Sequence, residues 1–236
     1  MTADPAQIAE NVARVHSLLA SAAADAGRAP DAARLVAVSK TVDVDEIRAA
    51  VVAGVTDLGE NYVNELRHKR PALADLAVRW HYVGALQSGT AHHVADLVDV
   101  VQTVAGERAA HRLAGRAARA GRTIDVLIEV DFTGVRAGVG PDDLPSAVNV
   151  VEGLDGLHLR GLMTVAPLAE RPEEARPWFR TLRELRDSLQ EKHPDVLELS
   201  MGMSLDYGVA VQEGATMVRI GTAVFGTRAL RERSGS

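Results

Sequence analysis

The sequence predicts an α/β fold, a (β/α)8 barrel of the TIM type with an additional helix at its N-terminus. Three features of the 236-residue chain predict it: eight short apolar runs, helical patterns between successive runs, and no linker or repeat. Strands that alternate with helices form parallel sheets, and a barrel is the natural closure at this length. An open doubly wound sheet is the alternative. We interpret residues 1–228 as a single barrel domain and residues 229–236 as a polar tail.

Residues 4–26 are predicted to form the N-terminal helix. Asp4 is a suitable N-cap residue, and Pro5 suits the first helical position. Apolar side chains recur at helical spacing on one face, at Ile8, Val12, Val15 and Leu19. The pattern indicates an amphipathic helix.

The eight apolar runs are the predicted strands. They lie at 35–38, 57–59, 80–83, 98–101, 124–130, 157–163, 196–200 and 217–220. Polar residues interrupt several of them, and in a barrel these polar positions point inward. We interpret them as a structural layer of ion pairs, since an unpaired buried charge is costly, and the alternative is that some of them line a ligand site. These residues are Glu129, His158, Arg160, Glu198 and Arg219.

Two of the connecting helices carry clear boundary signals. The spacing Asp43-x-x-Glu46 predicts a capping box for a helix that ends at Gly54. Pro172 opens another helix, which stops before Pro194. Its apolar stripe is predicted at Trp178, Leu182, Leu185 and Leu189.

The composition argues against several classes of function. A net charge of −6 disfavours nucleic-acid binding, because backbone phosphates need a basic face. The absence of cysteine excludes thiol catalysis, disulfides and cysteine-ligated zinc, and no histidine spacing predicts a metal site. No apolar run reaches membrane-spanning length and no leader pattern is present, so we expect a cytoplasmic protein. Arg112, Arg116 and Arg119 share one helical face, which we interpret as a solvated stripe, with a partner surface as the alternative.

Lys40 has a different setting from the other two lysines of the chain. Lys69 and Lys192 lie at polar helix ends near prolines and are interpreted as solvated cations. Lys40 follows the first predicted strand, at the end of the barrel where sites are built. Loss of solvation there favours a neutral amine, which attacks aldehydes to form a Schiff base. The alternative is an ion pair with an acid such as Glu60.

Two turns rich in glycine, serine and threonine follow the last two predicted strands. In ELSMGMSLD the strand ends at Ser200 and a helix starts near Ser204, and in MVRIGT the strand from Arg219 runs into Gly221 and Thr222. Barrels hold phosphate at these two positions, because glycine lets backbone N–H groups approach the anion. A strand-end lysine opposite such turns suggests a ligand with both an aldehyde and a phosphate. Pyridoxal 5′-phosphate (PLP) fits that description.

Six motifs, in this order and spacing, resemble the pyridoxal phosphate homeostasis protein family. They are VAVSKT, GENYVNE, LQS, RGLM, LSMGMSLD and VRIGTAVFGTR, and the match extends from about residue 34 to residue 228. The resemblance implies a single barrel of the fold type III class, related to the N-terminal domain of bacterial alanine racemases.

The resemblance also implies a set of cofactor-binding residues. The lysine would carry PLP covalently as an internal aldimine, and the two serines with the glycine–threonine pair would form the phosphate turns. The arginine would lie against the phosphate or the pyridine nitrogen, and the asparagine and methionine near the ring. In chain order these residues are Lys40, Asn61, Met163, Ser200, Ser204, Arg219, Gly221 and Thr222.

The chain departs from the family pattern at several positions. Val42 stands where members often carry a second lysine, and Ala85 and Gly89 replace polar residues of a common GHLQSNK segment. RAGV stands where KSGF is common. These departures concern secondary cofactor contacts and handover, and they leave the assignment of Lys40 unchanged.

The resemblance implies a carrier that acts in PLP homeostasis, by buffering or delivery, without turning over a substrate. A racemase needs acid–base groups on both faces of its substrate, and in the racemases a tyrosine of an additional domain supplies the second. Only eight residues follow Arg228 here, and Tyr62 is the best remaining candidate. We expect a monomer, with apo forms of PLP-dependent enzymes as recipients.

Two functions of other classes remain open. A single-domain, PLP-dependent amino-acid racemase-like enzyme would exchange the α-proton of its substrate with solvent. A Schiff-base aldolase acting on a sugar phosphate also needs a lysine and a phosphate turn, but it would be isolated colourless.

Overall fold

The computed structural model describes residues 4–167 and 170–226. In this part of the chain, eight parallel strands alternate with helices. The strands are β1 (Arg34–Val38), β2 (Asp57–Glu60), β3 (Arg79–Tyr82), β4 (Val100–Val104), β5 (Ile124–Glu129), β6 (Leu157–Met163), β7 (Glu198–Ser200) and β8 (Met217–Ile220). The helices are α1 (Pro5–Asp25), α2 (Val44–Val52), α3 (Val63–Ala72), α4 (Ala91–Leu97), α5 (Glu107–Arg119), α6 (Leu144–Glu152), α7 (Arg176–Gln190), α8 (Tyr207–Gln212) and α9 (Thr222–Phe225).

The sheet closes into a barrel. Each strand pairs in parallel with the next one along the chain, and β1 also pairs with β8. This closure confirms the predicted barrel and excludes the open sheet. The register sets Val36 opposite Arg219 and Val38 opposite Gly59. The C-terminal ends of β8, β1 and β2 therefore lie side by side.

Helix α1 forms as predicted. The Asp4 carboxylate accepts a hydrogen bond from the Ala6 N–H at 3.1 Å, and Pro5 is the first helical residue. The four apolar residues of the predicted face are buried. The helix packs against α2, α8 and α9, and Asn11 Nδ2 donates to the Val224 carbonyl at 2.9 Å. It thus belongs to the outer helical layer, beside the seam between β1 and β8.

Six strands lie close to their predicted positions, and β4 and β7 each begin two residues later than predicted. Val98 is buried although it precedes β4. The Asp99 carboxylate accepts a hydrogen bond from the Trp80 N–H at 2.9 Å, and the strand begins at the next residue. The strand then continues through Gln102 and Thr103, both buried inside an apolar region. Because Gln102 and Thr103 are polar, a search for apolar runs does not detect the second half of β4.

The predicted helix boundaries are confirmed for α2 and adjusted for α7. The Asp43–Glu46 capping box is present, and Gly54, just beyond the C-cap of α2, adopts a φ of +105°. The segment that opens at Pro172 begins as a 3-10 turn, and the α-helix starts at Arg176. Pro177 explains this delay, because its nitrogen has no proton for a helical hydrogen bond.

Apolar side chains fill both sides of the sheet. Most of the core lies between the strands and the surrounding helices. A smaller cluster fills the inside of the barrel. Its buried members are Val36, Val100, Leu127, Met163 and Met217.

Ion pairs occupy the N-terminal end of the barrel, as the structural interpretation predicted for part of the set. Glu198, the first residue of β7, pairs with Arg34, the first of β1, at 2.7 Å. His158 lies 3.3 Å from Asp125, and Arg160 approaches the same histidine at 3.5 Å. The other two polar residues, Glu129 and Arg219, lie towards the opposite end.

The arginine stripe of α5 is exposed, as predicted. Arg116 pairs with Asp96 of α4 at 2.7 Å, and Arg112 donates to the Ser88 carbonyl at 3.2 Å. Among the described helices none has the length and apolarity that a membrane crossing requires. The predicted end of the domain at residue 228 and the tail 229–236 lie outside the described residues.

Candidate functional site

The predicted binding residues converge on the C-terminal end of the barrel. Lys40 follows β1, Asn61 follows β2, and Gly221 follows β8. A Cβ atom on Gly221 would lie 3.2 Å from the Val38 carbonyl oxygen, so this turn lies directly against the end of β1. The lysine and the Gly221–Thr222 turn therefore lie next to each other at this end.

Lys40 lies in the middle of a tight turn. The Val42 N–H donates to the Ser39 carbonyl at 2.9 Å, which makes Lys40 and Thr41 the central residues. Thr41 has a φ of +61°, in the left-handed region. The Lys40 side chain is partly exposed, whereas Ser39 before it and Val42 after it are buried. The turn thus presents Lys40 at the barrel opening.

The prediction that Lys69 is a solvated cation is wrong. Its side chain is 5% exposed, and its ammonium donates to Glu60 Oε2 at 2.8 Å, Glu65 Oε2 at 2.5 Å and the Ser39 carbonyl at 2.7 Å. Helix α3 directs this side chain under the end of β2, where Glu60 is fully buried. Lys69 is thus a lysine hydrogen-bonded to Glu60. The i,i+4 spacing of Glu65 and Lys69 was the signal available in the sequence. Lys192, in contrast, is exposed as predicted.

Asn61 has a buried polar atom that lacks a partner. Within residues 4–167 and 170–226, its Oδ1 is the buried side-chain nitrogen or oxygen atom without a hydrogen bond. The backbone around it is held firmly: the Asn61 N–H donates to Glu60 Oε1 at 2.8 Å. A Cβ on Gly84 would lie 2.2 Å from the Asn61 carbonyl oxygen, so only glycine allows this approach. An unsatisfied buried acceptor is unfavourable unless a ligand supplies the donor.

The turn after β7 brings Ser204 to the surface near the barrel opening. Gly202 has a φ of +94°, and the Met203 N–H donates to the Asp206 carboxylate at 2.6 Å. Ser204 itself is exposed, as is Thr222 in the neighbouring turn. Burial raises the pKa of Asp206, although its bond from Met203 opposes that shift.

Ser200 lies inside the barrel, at the last position of β7. Its hydroxyl accepts a hydrogen bond from Arg219 Nη1 at 2.6 Å and donates to Gln102 Oε1 at 2.7 Å. Met163, the last residue of β6, is buried in the interior cluster below the opening. The hydroxyl of Ser200 is thus engaged within the protein, whereas those of Ser204 and Thr222 lie on exposed residues.

Arg219 is a buried cation at the end of this interior network. Its Nη2 donates to the Thr164 carbonyl at 2.7 Å. Burial lowers its pKa to about 10, although the charges of Glu129 and Asp206 oppose that shift. The guanidinium is therefore still charged at neutral pH, and it places positive charge beneath the opening.

The hydrogen bonds continue from Arg219 through the barrel to β2. Gln102 Nε2 lies 2.9 Å from His81 Nδ1, and His81 Nε2 lies 2.8 Å from Asp57 Oδ1. Because Gln102 donates to Nδ1, the proton of the neutral imidazole is on Nε2 and points to Asp57. We call the residues Asp57, His81, Gln102, Ser200 and Arg219 the interior chain. His81 and Gln102 were not predicted, although each is a polar residue in an apolar strand.

The tyrosines differ in their settings. Tyr62, the best candidate for a second acid–base group, is 55% exposed. Tyr82 is buried, and its hydroxyl donates to the Ala85 carbonyl at 3.4 Å. Burial raises the pKa of Tyr82, and the charge of Glu60 adds to the shift.

The departures from the family pattern also differ in their surroundings. Val42 is buried in the core, while Ala85 and Gly89 are exposed. No heavy atom lies within 4 Å of a Cβ built on Gly89. A larger residue fits at Gly89, but a lysine at position 42 would need to leave the core.

Comparison with protein families and sequences gives a consistent result. A family model described as the N-terminal domain of alanine racemase matches residues 4–229. The pyridoxal phosphate homeostasis protein of Aquifex aeolicus is 40% identical over 222 residues, which are 93% of this chain and 97% of that protein. The protein of the same name from Escherichia coli K12 is 36% identical over 231 residues, 94% of this chain and 97% of its own length.

Solved structures show the same barrel. PipY of Synechococcus elongatus, in a structure with PLP bound, has a TM-score of 0.83 at 36% identity and covers 93% of this chain and 100% of that chain. Alanine racemase of Clostridium difficile has a TM-score of 0.70 at 16% identity, over 84% of this chain and 56% of that chain. At that identity the second likeness concerns the fold alone.

Proposed function

This chain belongs to the pyridoxal phosphate homeostasis protein family, and we propose that it binds PLP covalently on Lys40 and acts as a carrier of that cofactor. The carrier buffers or delivers PLP and does not turn over a substrate. One observation carries the proposal: Lys40 and the Gly221–Thr222 turn lie together at one end of the barrel, next to a buried Asn61 oxygen without a partner. A relative whose structure contains PLP has the same fold over nearly the whole chain.

The residues at this end fit PLP. The Gly221–Thr222 turn and Ser204 offer hydroxyl and backbone groups to a phosphate, and Arg219 supplies a nearby positive charge. Asn61 supplies an unused acceptor for a polar group near the ring. Met163 gives the floor of the site an apolar surface, which suits an aromatic ring.

The three lysines are distinguished by their surroundings. The ammonium of Lys69 already donates three hydrogen bonds, its full capacity, two of them to carboxylates. An amine engaged by three acceptors is not available to condense with an aldehyde. Lys192 lies beyond the end of α7, outside the barrel opening. Lys40 is therefore the lysine proposed to react.

PLP supplies an aldehyde, which condenses reversibly with a primary amine as the aldehyde oxygen leaves as water. The protein's own residues would present the Lys40 amine, hold the phosphate, and engage the Lys69 amine so that it does not compete for the aldehyde. A reversible bond at a barrel opening suits loading and unloading.

Two features favour a carrier over an enzyme. The relatives named for homeostasis match over 97% of their own length, so this barrel is nearly the whole of those proteins. Tyr62 is more than half exposed, and the hydroxyl of the buried Tyr82 is already engaged by the Ala85 carbonyl, so neither is well placed as a second acid–base group.

The absorption spectrum of the purified protein tests the attachment site. We expect a visible band that borohydride reduction removes, and a pyridoxyl phosphate group on the peptide that contains Lys40. Lys40→Ala should lose the band, whereas Lys192→Ala should keep it. A reduced label on Lys69 or Lys192, or no uptake of added PLP, would contradict the proposal.

Turnover and delivery need separate measurements. Incubation with a panel of amino acids in D2O should give no exchange of the α-proton above that of free PLP, and exchange would favour the racemase-like alternative. Uptake by an apo PLP-dependent enzyme from the loaded protein should restore its activity. If borohydride trapped a label only in the presence of a sugar phosphate, the aldolase alternative would hold. Sedimentation of the loaded protein should give the mass of a monomer.

A further inference from the structure

The turn that carries Lys40 contains an unfavourable backbone conformation. Thr41 is the residue other than glycine that has a positive φ in the described chain, at +61°. A third turn residue with positive φ is normally glycine or asparagine. Threonine is branched at Cβ, which makes the left-handed region still less favourable for it. Some interaction must therefore hold Thr41 in place.

Glu65 of α3 provides that interaction. Its Oε2 accepts the Thr41 N–H at 2.7 Å. The same oxygen accepts a hydrogen bond from Lys69 at 2.5 Å, and Lys69 also donates to the Ser39 carbonyl at 2.7 Å. The residues immediately before and after Lys40 are thus connected through one ammonium group.

The network is anchored in the protein interior. Glu60 accepts from Lys69 at 2.8 Å and from the Ser39 hydroxyl at 3.2 Å, and its side chain is fully buried. The Glu65 side chain is 26% exposed and so joins the surface helix to this buried pair. Removing one partner of such a network leaves the others with unpaired charge, so the groups hold each other in one arrangement.

We propose that Lys69 and Glu65 are positioning residues that hold the Lys40 turn in the strained form needed for covalent attachment of the cofactor. The inference rests on the proposed function and extends it to residues that do not contact the cofactor. Without the network, Thr41 relaxes to a negative φ and the Lys40 side chain leaves its orientation at the barrel opening.

The decisive comparison is between covalent and non-covalent binding. Pyridoxine 5′-phosphate carries an alcohol in place of the aldehyde and cannot condense with an amine. Glu65→Ala should bind pyridoxine 5′-phosphate with an affinity within about twofold of that of the wild type. Its equilibrium constant for covalent attachment of PLP to Lys40 should fall about tenfold, as expected for release of one strained residue. Arg67→Ala, which removes an exposed charge from the same helix, is the control and should change neither.

Two results would overturn the inference. One is attachment of PLP to Glu65→Ala as complete as to the wild type. The other is an equal loss of affinity for both ligands, which indicates general damage to the site. Lys69→Met should lose covalent attachment in the same way as Glu65→Ala. Because Lys69→Met leaves the buried Glu60 without its cation, this variant is at risk of not folding. In that case the result for Glu65→Ala alone tests the inference.

A glycine at position 41 provides a rescue. Glycine adopts a positive φ without strain, so the turn no longer needs its anchor. The double variant Thr41→Gly/Glu65→Ala should recover much of the covalent attachment that Glu65→Ala loses. A double variant no better than Glu65→Ala would show that Glu65 acts in some other way.

Amide exchange in the cofactor-free protein separates this inference from the proposed function. The Thr41 amide should exchange slowly in the wild type, because Glu65 holds its proton, and at least tenfold faster in Glu65→Ala. A fast Thr41 amide in the wild type overturns the inference whether or not PLP binds. A wild type with a protected Thr41 amide that takes up no PLP overturns the proposed function instead.

Discussion

Asn61 combines a firmly held backbone with an unused side-chain acceptor. The Glu60 carboxylate and the close approach of Gly84 fix its main chain, yet no described residue donates to its Oδ1. A protein that only needed to fold would gain from an apolar residue here, since an orphaned buried acceptor is unfavourable. Asn61 is therefore better explained by a ligand than by the folded state alone.

Replacement of Asn61 should separate binding from stability. In Asn61→Ala we expect the affinity for PLP to fall about fivefold, the value of one hydrogen bond of about 1 kcal/mol. The free energy of unfolding of the cofactor-free variant should not fall below that of the wild type, because no bond to Oδ1 is lost and an unsatisfied buried acceptor is removed. Titration and chemical denaturation measure the two quantities. Asn64→Ala, an exposed change nearby, is the control, and equal affinities in both variants would contradict the role of Asn61.

His81 should make the stability of the protein depend on pH in the weakly acid range. Burial lowers its pKa below the ordinary 6.5, although the neighbouring Asp57 opposes that shift. Burial alone would raise the pKa of Asp57, but its hydrogen bonds with His81 and Thr56 outweigh this and lower it, so Asp57 stays ionised in this range. Below about pH 6.5, His81 is therefore protonated more readily in the unfolded chain than in the folded chain.

Stability should accordingly fall as the pH drops from about 6.5 towards 5, with a limiting slope of about 1.4 kcal/mol per pH unit. Thermal melts across this range should show a shallower slope for His81→Gln than for the wild type. His111→Gln, at an exposed histidine of α5, should keep the wild-type slope. Identical slopes in all three proteins would mean that His81 is not the titrating group.

Single residues also mark where sequence reasoning reached its limit. The position of Lys40 follows from its place after an apolar strand, which is local information. The burial of Lys69 depends on how far α3 rotates over the end of β2, and the chain between them does not specify this. Ser200 ends β7 as predicted, but the sequence does not show that its side chain lies inside the barrel, where Arg219 and Gln102 bind it.

The turn between β7 and α8 depends on a backbone that only glycine adopts easily. Gly202 has a φ of +94°, and a Cβ there would lie 2.6 Å from the Ala210 Cβ. Gly208, within α8, has no heavy atom within 4 Å of such a Cβ. Two glycines six residues apart therefore have opposite roles.

Alanine at each position should give opposite results. Gly202→Ala should lower the free energy of unfolding by about 1–3 kcal/mol through strain at the turn, and it should weaken phosphate binding. Gly208→Ala should raise the free energy of unfolding by up to about 1 kcal/mol, because alanine favours a helix. Denaturant melts and phosphate titration test both. A lower free energy of unfolding in Gly208→Ala would mean that a methyl group at position 208 clashes with a neighbouring residue.

Among the secondary-structure elements, the sequence pattern predicted helices well where one face of the helix is apolar. Helix α1 follows directly from helical periodicity. In α7, Leu182 of the predicted stripe is buried and its other three residues are partly buried against the core, while the buried Phe179 was not predicted. The strand β4 was less clear because Gln102 and Thr103 look like loop residues until the barrel places them inside it. Their hydrogen-bond partners come from other parts of the barrel: Thr103 Oγ1 donates to the carbonyl of Gly84, in the loop after β3, at 2.6 Å.

The barrel as a whole has a polar line through its apolar interior. The interior chain connects β2, β3, β4, β7 and β8: three of its links join neighbouring strands, and the link from Gln102 to Ser200 crosses the barrel from β4 to β7. Such a network specifies which strands meet, because a shift in register would leave several buried groups unsatisfied. The ion pairs at the N-terminal end have the same effect on β1 and β7.

Gln102 is the central member, so its removal should affect the entire barrel. Gln102→Leu leaves His81 Nδ1 without a donor and the proton of the Ser200 hydroxyl without an acceptor, and we expect a loss of about 2–4 kcal/mol in the free energy of unfolding. Gln87→Leu, at an exposed position, should stay within about 0.5 kcal/mol. Urea denaturation compares them. A loss below 1 kcal/mol in Gln102→Leu would mean that the chain contributes little to barrel stability.

The closed barrel itself was predictable, since eight strand patterns with helices between them leave few arrangements at this length. The interior chain was not, because its contacts join residues up to 98 positions apart. No local pattern links Gln102 with Ser200. Those pairings exist only after the barrel has closed.

The interior chain also has a polarity, because each proton in it points from Arg219 towards Asp57. A second proton on His81 would reverse the middle of that line, since Gln102 would have to turn its oxygen to the imidazole and its amino group to Ser200. The reversal would place two donors, from Gln102 and Arg219, on the Ser200 hydroxyl and leave its own proton without an acceptor. Mild acid therefore acts on this barrel by favouring the unfolded chain, not by charging its folded interior.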